Sequence, residues 1–343
     1  MRSPLISIII VNWNGAAFIS TCLESVYKQP YTNIEVIVVD NNSTDGSVKL
    51  IQSKFKKVRL VLAKKNFGFA VGCNIGYRHS KGKFVLLLNN DTTVEKDFLI
   101  LLVSYLQQHA ECAIVQPKIV YTGNPGYSNG TINAYATYFT STGFLFYLGY
   151  GKIARLPQYM KTQKIFAANG ACMLIRRDII EEVGLFDDDF FMYFEETDFC
   201  IRVLLHGSTI VTYPKSTIEH QGGVSSRKYG TSKLIYHSFK NRMCSYIKNF
   251  QLSTLLLLLP LHLSICEVTS LLYLCLGKLD LFLAIQYAVI WNIYYLPQTL
   301  KKRRYVQSQM RNVSDDFFLS YAKQNPRLAY YLYLFKGLQY YND

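Results

Sequence analysis

The chain has 343 residues, half of them apolar, which is enough for one large domain or for one domain with an appendage. Its 37 Lys and Arg against 23 Asp and Glu leave a net charge of +14, pointing to an anionic partner: a membrane surface, nucleic acid or a phosphorylated substrate. Eight scattered cysteines with no CxxC pair and no His cluster beside them argue against a disulfide framework or a zinc site and favour a reducing, cytosol-facing compartment.

Met1-Arg2-Ser3-Pro4 passes at once into a strand-like run, leaving no room for a secretory signal, so the N-terminal domain is expected in the cytoplasm. Strands are expected at Leu5 to Val11, Glu35 to Asp40, Val58 to Ala63 and Phe84 to Leu88, with helices between them near Phe18 to Tyr27, Asp45 to Phe55 and Ala70 to Ser80. This alternation predicts a parallel α/β sheet covered on both faces, which is why the strands are apolar throughout. Ligands then belong at the carboxyl ends of the strands. Those ends are polar: Asn12-Trp13-Asn14-Gly15, Asp40-Asn41-Asn42-Ser43 and Asn89-Asn90-Asp91-Thr92. Turn and cap chemistry explains any one of these clusters, but three at one sheet edge define a candidate crevice.

Residues 123–151, rich in Gly, Tyr, Ser and Thr and without clear period, are expected to form a long loop or lid over that crevice. Beyond it, Glu195-Glu196-x-Asp198 opens a helix directly after the aromatic run Phe190-Phe191-Met192-Tyr193-Phe194. Acids in a first helical turn complement the helix dipole, while an apolar wall beside them raises a carboxylate pKa towards that of a useful base. His220 follows a strand-like run and precedes Gly222-Gly223; it is either structural or a ligand for a Mn²⁺-like ion. Asn89-x-Asp91 supplies oxygen ligands of the kind Mg²⁺ or Mn²⁺ accepts.

From Ile201 to Asp343 there are 17 basic and 6 acidic residues, so most of the excess charge lies in the C-terminal part. Leu252 to Gly277 and Leu279 to Pro297 approach the length of membrane helices, although Pro260, His262 and Glu267 make the first a poor lipid-exposed span. Lys240, Arg242 and Lys248 before this region and Lys301-Lys302-Arg303-Arg304 after it place both flanks on the cytoplasmic side. A hairpin or interfacial pair on an anionic membrane fits; a soluble helical subdomain or dimer interface is the other reading. The expected division is a catalytic domain at 1–225, a basic helical connector at 226–250, an apolar helical hairpin at 251–300 and a basic, aromatic tail at 301–343.

In their order and intervals, Val11-Asn12-Trp13-Asn14-Gly15, Val39-Asp40-Asn41-Asn42, Asn66-Phe67-Gly68-Phe69-Ala70 with Asn74 and Gly76, Leu88-Asn89-Asn90-Asp91, Asn169-Gly170-Ala171, Phe194-Glu195-Glu196-Thr197-Asp198 with Arg202, and His220-Gln221-Gly222-Gly223 resemble the family 2 inverting glycosyltransferases of GT-A fold, within them the rhamnosyltransferase-like branch. The resemblance covers about residues 5 to 245. It implies an α/β, Rossmann-like, mainly parallel sheet with helices on both faces, here followed by a membrane-associated helical segment. It also implies transfer of rhamnose or a similar sugar from a thymidine or uridine diphosphate donor to a cell-surface or lipid-linked glycan, assisted by Mn²⁺ or Mg²⁺.

Residue by residue, the resemblance puts Asp91 and His220 on the metal, with Asn89 where the family usually has an acid. It makes Glu196, in a position usually held by Asp, the base, flanked by Glu195 and with Asp198 as the fallback. Val11, Asn12, Asp40, Asn42, Asn66, Gly68, Phe69, Asn74, Asn89 and Asn90 are assigned to the nucleotide donor, and Asn169, Gly170 and Arg202 to the sugar and acceptor pocket. Two other classes compete: a sugar-phosphate nucleotidyltransferase, which would want a basic loop after the first strand, and a non-catalytic basic module. An acid-rich crevice argues against nucleic acid, because carboxylates repel phosphate.

Overall fold

The computed structural model describes residues 3–223, 229–331 and 341; the expected boundary at 225 and residues 332–340 and 342–343 of the expected tail lie outside them. The chain begins β1 (Ile6–Asn12), α1 (Ile19–Tyr27), β2 (Ile34–Asp40), α2 (Ser47–Lys54), β3 (Arg59–Leu62), α3 (Gly68–Arg78), β4 (Phe84–Leu88). It continues with β5 (Thr92–Val94), α4 (Phe98–Gln108), β6 (Cys112–Tyr121), β7 (Ile132–Ala134), β8 (Ala136–Phe139), β9 (Leu145–Leu148), β10 (Gln163–Lys164), β11 (Cys172–Arg176), α5 (Arg177–Val183), α6 (Glu195–Leu205) and β12 (Thr209–His220). Among the described residues α7 (Thr231–Asn249), α8 (Leu252–Cys275), α9 (Leu279–Tyr294), α10 (Leu296–Tyr305) and α11 (Asp315–Ala322) follow.

The main sheet runs β10-β12-β6-β11-β4-β1-β2-β3, and β5 and β7 pair with β12 and β6. The four expected strands are all present and mutually parallel, in the order β4-β1-β2-β3. β11 then enters antiparallel between β4 and β6. Alternate side chains of the buried strands serve opposite layers. Ile9, Val85 and Leu87 face α3 and α6, whereas Ile8, Ile10, Leu86 and Leu88 face α1 and α4. Residues 123–151 are not one long loop as expected: β7 joins the sheet, and β8 and β9 form a hairpin whose Tyr138, Phe139, Leu145 and Phe146 are buried.

The C-terminal helices extend this core. Tyr246, Phe250, Leu258 and Phe318 belong to the same apolar cluster as Phe166 and Phe199 of the α/β part. Asp198 of α6 is fully buried, and its carboxylate accepts hydrogen bonds from Arg202 (3.1 Å), Lys248 (3.0 Å) and Asn249 (2.7 Å). Lys248 also reaches Asp187 (2.7 Å), which Lys302 of α10 contacts at 2.5 Å. Burial alone would raise the pKa of Asp198, but Lys248 and Arg202 outweigh it and hold the carboxyl below its ordinary value.

This changes the reading of the basic flanks. Lys240, Arg242 and Lys248 are buried, with Lys240 over Trp291 and Arg242 over Phe144, and Lys302 bonds to Asp189 and Arg303 to the Ile247 carbonyl of α7; Lys301 and Arg304 remain exposed. Likewise the polar residues of α8 turn inward: His262 Nδ1 lies 3.0 Å from the Thr142 carbonyl, and Glu267 accepts from Gln286 of α9 at 2.8 Å. Its outer side carries Leu256, Leu257, Leu261, Val268, Leu271 and Leu272, all exposed. α8 is the one described helix long and apolar enough by itself to cross a membrane, and α9 and α10 meet at a 64° bend.

Removing the ammonium of Lys248 leaves Asp198 with a buried charge and one cationic partner. Lys248→Ala is expected to cost about 3–5 kcal/mol in urea unfolding; a loss under about 1 kcal/mol, ordinary for an exposed ion pair, would contradict the network.

Candidate active site

The carboxyl ends of β1, β2 and β4 are tied together by one side chain. The Asn12 amide donates to Asp40 (2.9 Å), Ser47 (2.9 Å) and Ser43 (3.2 Å), and its oxygen accepts from Asn90 (2.9 Å). Asp40 also accepts from the Ser43 N–H at 2.9 Å, so its carboxylate closes a turn. Asn14 and Asn42 take left-handed φ values of 50° and 64°, which Asn tolerates better than most residues.

Above these strand ends lies a cavity of about 640 Å³. Of the expected donor residues, Val11, Asn66, Gly68, Phe69, Asn89 and Asn90 line it, joined by Trp13 and Asn41. Asn12, Asp40, Asn42 and Asn74 do not. Asn12 and Asp40 are buried beneath it, Asn42 is on the surface, and Asn74 pins Phe186 and Asp188. Asn169 and Gly170 line the cavity as expected, whereas Arg202 is buried away from it, bonded to the Val183, Gly184 and Leu185 carbonyls.

One wall is polar and built by strand pairing. β5 pairs antiparallel with β12, setting His220 opposite Thr92 and therefore beside Asp91. His220 Nε2 lies 3.1 Å from Asp91 Oδ1 and 3.4 Å from the Asn89 amide; its Nδ1 lies 2.9 Å from Asn133 Oδ1. Asn133 can only accept with that oxygen, so Nδ1 donates to it; Nε2 then either donates to Asp91 as part of an imidazolium or gives its lone pair to a cation shared with Asp91. Burial raises the Asp91 pKa, but the His220 charge and the surrounding hydrogen bonds outweigh it, keeping the carboxyl ionised below its usual range. Carboxylate oxygen, imidazole nitrogen and amide oxygen suit Mn²⁺ or Mg²⁺. Among the described residues no group of three His, Cys, Asp or Glu assembles, so the remaining ligands of such an ion would be water or substrate oxygens.

The facing chemistry sits on the first turn of α6, where Glu195 and Glu196 line the cavity with Met192 and Tyr193. Tyr193 and Phe194 hold consecutive left-handed φ values of 65° and 71°, costly for aromatic residues. Asn241 of α7 holds this turn, donating to the Met192 (3.0 Å) and Tyr193 (2.6 Å) carbonyls. Burial, with Glu196 as a like-charged neighbour, pushes Glu195 well above the ordinary Glu value; its Oε2 is buried without a hydrogen-bond partner. Burial also pushes Glu196 up, to about 7, against the backbone N–H groups of Glu196 and Thr197. Asp198, three residues from Glu195, points away into the ion-pair network and does not reach the cavity, which removes it as an alternative base.

Sequence reasoning did not single out the aromatic wall. Tyr121 and Tyr127 stack with centroids 4.1 Å apart, both hydroxyls meet that of Tyr150 (2.8 and 2.9 Å), and all three rings line the cavity beside Asn124. Tyr229 closes another side, stacked on Trp13 and bonded to Asn66. Their signal was the Tyr-rich composition of 121–150, which carries no period.

Gly68 shows how tightly the donor side is joined to the acidic turn. Its φ is +86°, and a Cβ there would sit 2.1 Å from the Phe191 carbonyl oxygen, which accepts from the Phe69 N–H at 2.8 Å. Gly68→Ala is expected to cost about 2 kcal/mol or more in thermal unfolding and to weaken nucleotide binding in calorimetry; an unchanged melting temperature would contradict this close approach.

A family model described as glycosyl transferase family 2 matches residues 7–184, more than half of the chain. The low-salt glycan biosynthesis hexosyltransferase Agl10 of Haloferax volcanii is 29% identical over 244 residues, covering 69% of this chain and 74% of that protein. An uncharacterised glycosyltransferase of Haemophilus influenzae is 33% identical over 112 residues, covering 32% of this chain and 45% of its own length. Among solved structures, S. aureus TarS 1–349 with UDP-GlcNAc superposes with a TM-score of 0.56 at 16% identity, over 89% of this chain and 87% of that one. The mannosyltransferase PcManGT of Pyrobaculum calidifontis, with GDP-Man and Mn²⁺, gives 0.51 at 16% identity over 90% and 86%. The rhamnosyltransferase-like branch is not distinguished by these relatives, but with the GT-A fold and the span from β1 to α5 matched, the chain belongs to glycosyl transferase family 2.

Proposed function

We propose that this protein is a metal-assisted, inverting glycosyltransferase that passes a hexose from a nucleoside diphosphate to a hydroxyl of a glycan or lipid-linked acceptor at the cytoplasmic face of a membrane. The observation that carries this reading is a single cavity holding two kinds of acid: Asp91, kept ionised beside His220 and Asn89, and Glu196, lifted to about 7 by burial. Two carboxyl groups whose surroundings drive their pKa values apart suit two different roles.

Asp91, His220 and Asn89 would hold Mn²⁺ or Mg²⁺, which when bound neutralises the leaving diphosphate. Val11, Trp13, Asn41, Asn66 and Gly68 form the side of the cavity that takes the nucleoside and its phosphates. Glu196 accepts the proton of the acceptor hydroxyl as that oxygen attacks the anomeric carbon. The bond from that carbon to the diphosphate breaks on the opposite face, so configuration inverts. Burial pushes the neighbouring Glu195 well above the ordinary Glu value, which disfavours a second negative charge beside Glu196. Asn169, Gly170, Met192 and the Tyr121-Tyr127-Tyr150 wall are the surfaces left for the two sugars.

Rhamnose on thymidine diphosphate is the donor favoured by the motif resemblance; uridine and guanosine diphosphate sugars stand beside it, since the solved neighbours carry UDP-GlcNAc and GDP-Man. The membrane assignment rests on the exposed leucine face of α8 and on Lys301 and Arg304.

With purified protein and a panel of thymidine, uridine and guanosine diphosphate sugars, one donor is expected to release nucleotide in a Mn²⁺-dependent reaction. Glu196→Gln and Asp91→Ala should each lower that rate by about 100-fold or more. Failure of every donor, with no nucleotide binding by calorimetry, would overturn the transferase reading. Because the base must be deprotonated and burial raises its pKa, kcat/KM should fall as pH drops through about 7. A rate that holds flat down to pH 5 would remove Glu196 from this role.

A further inference from the structure

A second cavity, of about 710 Å³, lies between the first turn of α7 and one face of α9. Leu283, Ala284, Tyr287, Ile290, Trp291 and Tyr294, spaced as one helical face, form its wall. Tyr287, Ile290 and Tyr294 are more than half exposed, although a groove this apolar is ordinarily covered. Lys233 lies on the α7 side of the groove. Its ammonium sits 4.8 Å from the centroid of Tyr229 and 5.4 Å from that of Phe191, and among the described residues it enters no ion pair. Tyr229 also lines the catalytic cavity, so Lys233, which lines the groove, stands against a wall residue of the active site. Asp280, in the first turn of α9, is the groove's one carboxylate and is not within ion-pair distance of Lys233.

We propose that this groove holds the hydrocarbon chain of a phosphate-linked lipid acceptor, and that Lys233 pairs with the phosphate at the junction. The hydrocarbon lies along the apolar α9 face, its phosphate meets the cation, and the sugar attached beyond the phosphate enters the catalytic cavity past Tyr229. A free glycan would use none of these surfaces. The inference rests on the transferase reading for its consequence, but its binding step is measurable separately.

The chain has two tryptophans, Trp13 and Trp291, so Trp13→Phe leaves Trp291 as a reporter inside the groove. In full-length protein held in phosphatidylcholine nanodiscs, farnesyl phosphate should change Trp291 emission in a saturable way, while inorganic phosphate should not. Lys233→Gln should weaken this binding about tenfold, as expected for a lost charge-assisted hydrogen bond, and farnesol should bind as weakly to the unsubstituted groove. Ile290→Asp, at an exposed position, should abolish it. In protein with native Trp13, UDP binding and donor hydrolysis should be unaltered by either groove substitution.

Displacement of farnesyl phosphate by UDP, equal binding to all variants, or the same emission change from phosphatidylglycerol added to the disc would overturn the proposal. Those results place the probe in the donor site, elsewhere, or in bulk anionic lipid. If instead farnesyl phosphate binds as described but no donor is hydrolysed and UDP does not bind, the transferase reading fails and the groove stands as a lipid-phosphate site.

Discussion

A carboxylate with no access to water is tolerated only if cations and donors surround it, and Asp198 is such a carboxylate. Arg202 comes from its own helix, while Lys248 and Asn249 come from α7, fifty residues further along the chain. Lys248 passes the demand on to Asp187, and Asp187 to Lys302 of α10. The C-terminal helices are thereby fastened to α6, the helix whose first turn presents Glu195 and Glu196 to the cavity. Asn241, one turn earlier in α7 than Ser245, holds the strained Tyr193-Phe194 turn at the start of the same helix. The cavity geometry and the C-terminal helices are in this way one mechanical unit rather than a domain with a tail.

The cavity separates charge by construction. At the strand ends, Asn12 gathers β1, β2 and β4 with neutral amide bonds, so the sheet edge is rigid without adding charge. Asp91 is the ionised group on the polar wall, stabilised by His220, and its position follows from the pairing of β5 with β12. The Glu pair sits against Met192 and neighbouring rings, where burial raises both acids, and the more accessible Glu196 is pushed up to about 7. A cationic ligand is favoured at one wall and a proton at the other, which is the separation that displacement at an anomeric carbon requires.

Much of this was legible in the sequence. Unbroken runs such as Ile8-Ile9-Ile10 belong only in strands covered on both faces, and β4 was located to the residue. The clusters at the strand ends, the Glu195-Glu196 pair and His220 converge as their order along the fold implied. What escaped depends on contacts distant in sequence. Asp40, Asn74, Asp198 and Arg202 have the residue types of a site, yet each is satisfied by a partner that only the folded chain brings near: Asn12, Phe186, Lys248 and the carbonyls after α5. The antiparallel insertion of β11 cannot be read from its own composition, because a buried strand is apolar in either direction. The basic residues before and after the apolar helices looked like headgroup contacts because nothing local reveals that Lys240, Lys248 and Lys302 meet internal partners.

The inward turn of His262 and Glu267 leaves α8 with one polar side packed on the protein and one exposed leucine side, and the groove beside Lys233 lies between α7 and α9. The central claim, that the polar wall receives a cation bound to the donor diphosphate, is tested most directly by pulsed electron paramagnetic resonance of Mn²⁺ added to the protein with UDP. The account predicts one coupled nitrogen, from His220 Nε2, that disappears in His220→Gln while UDP still binds. Mn²⁺ held with no nitrogen coupling, or a coupling that survives in His220→Gln, would contradict it.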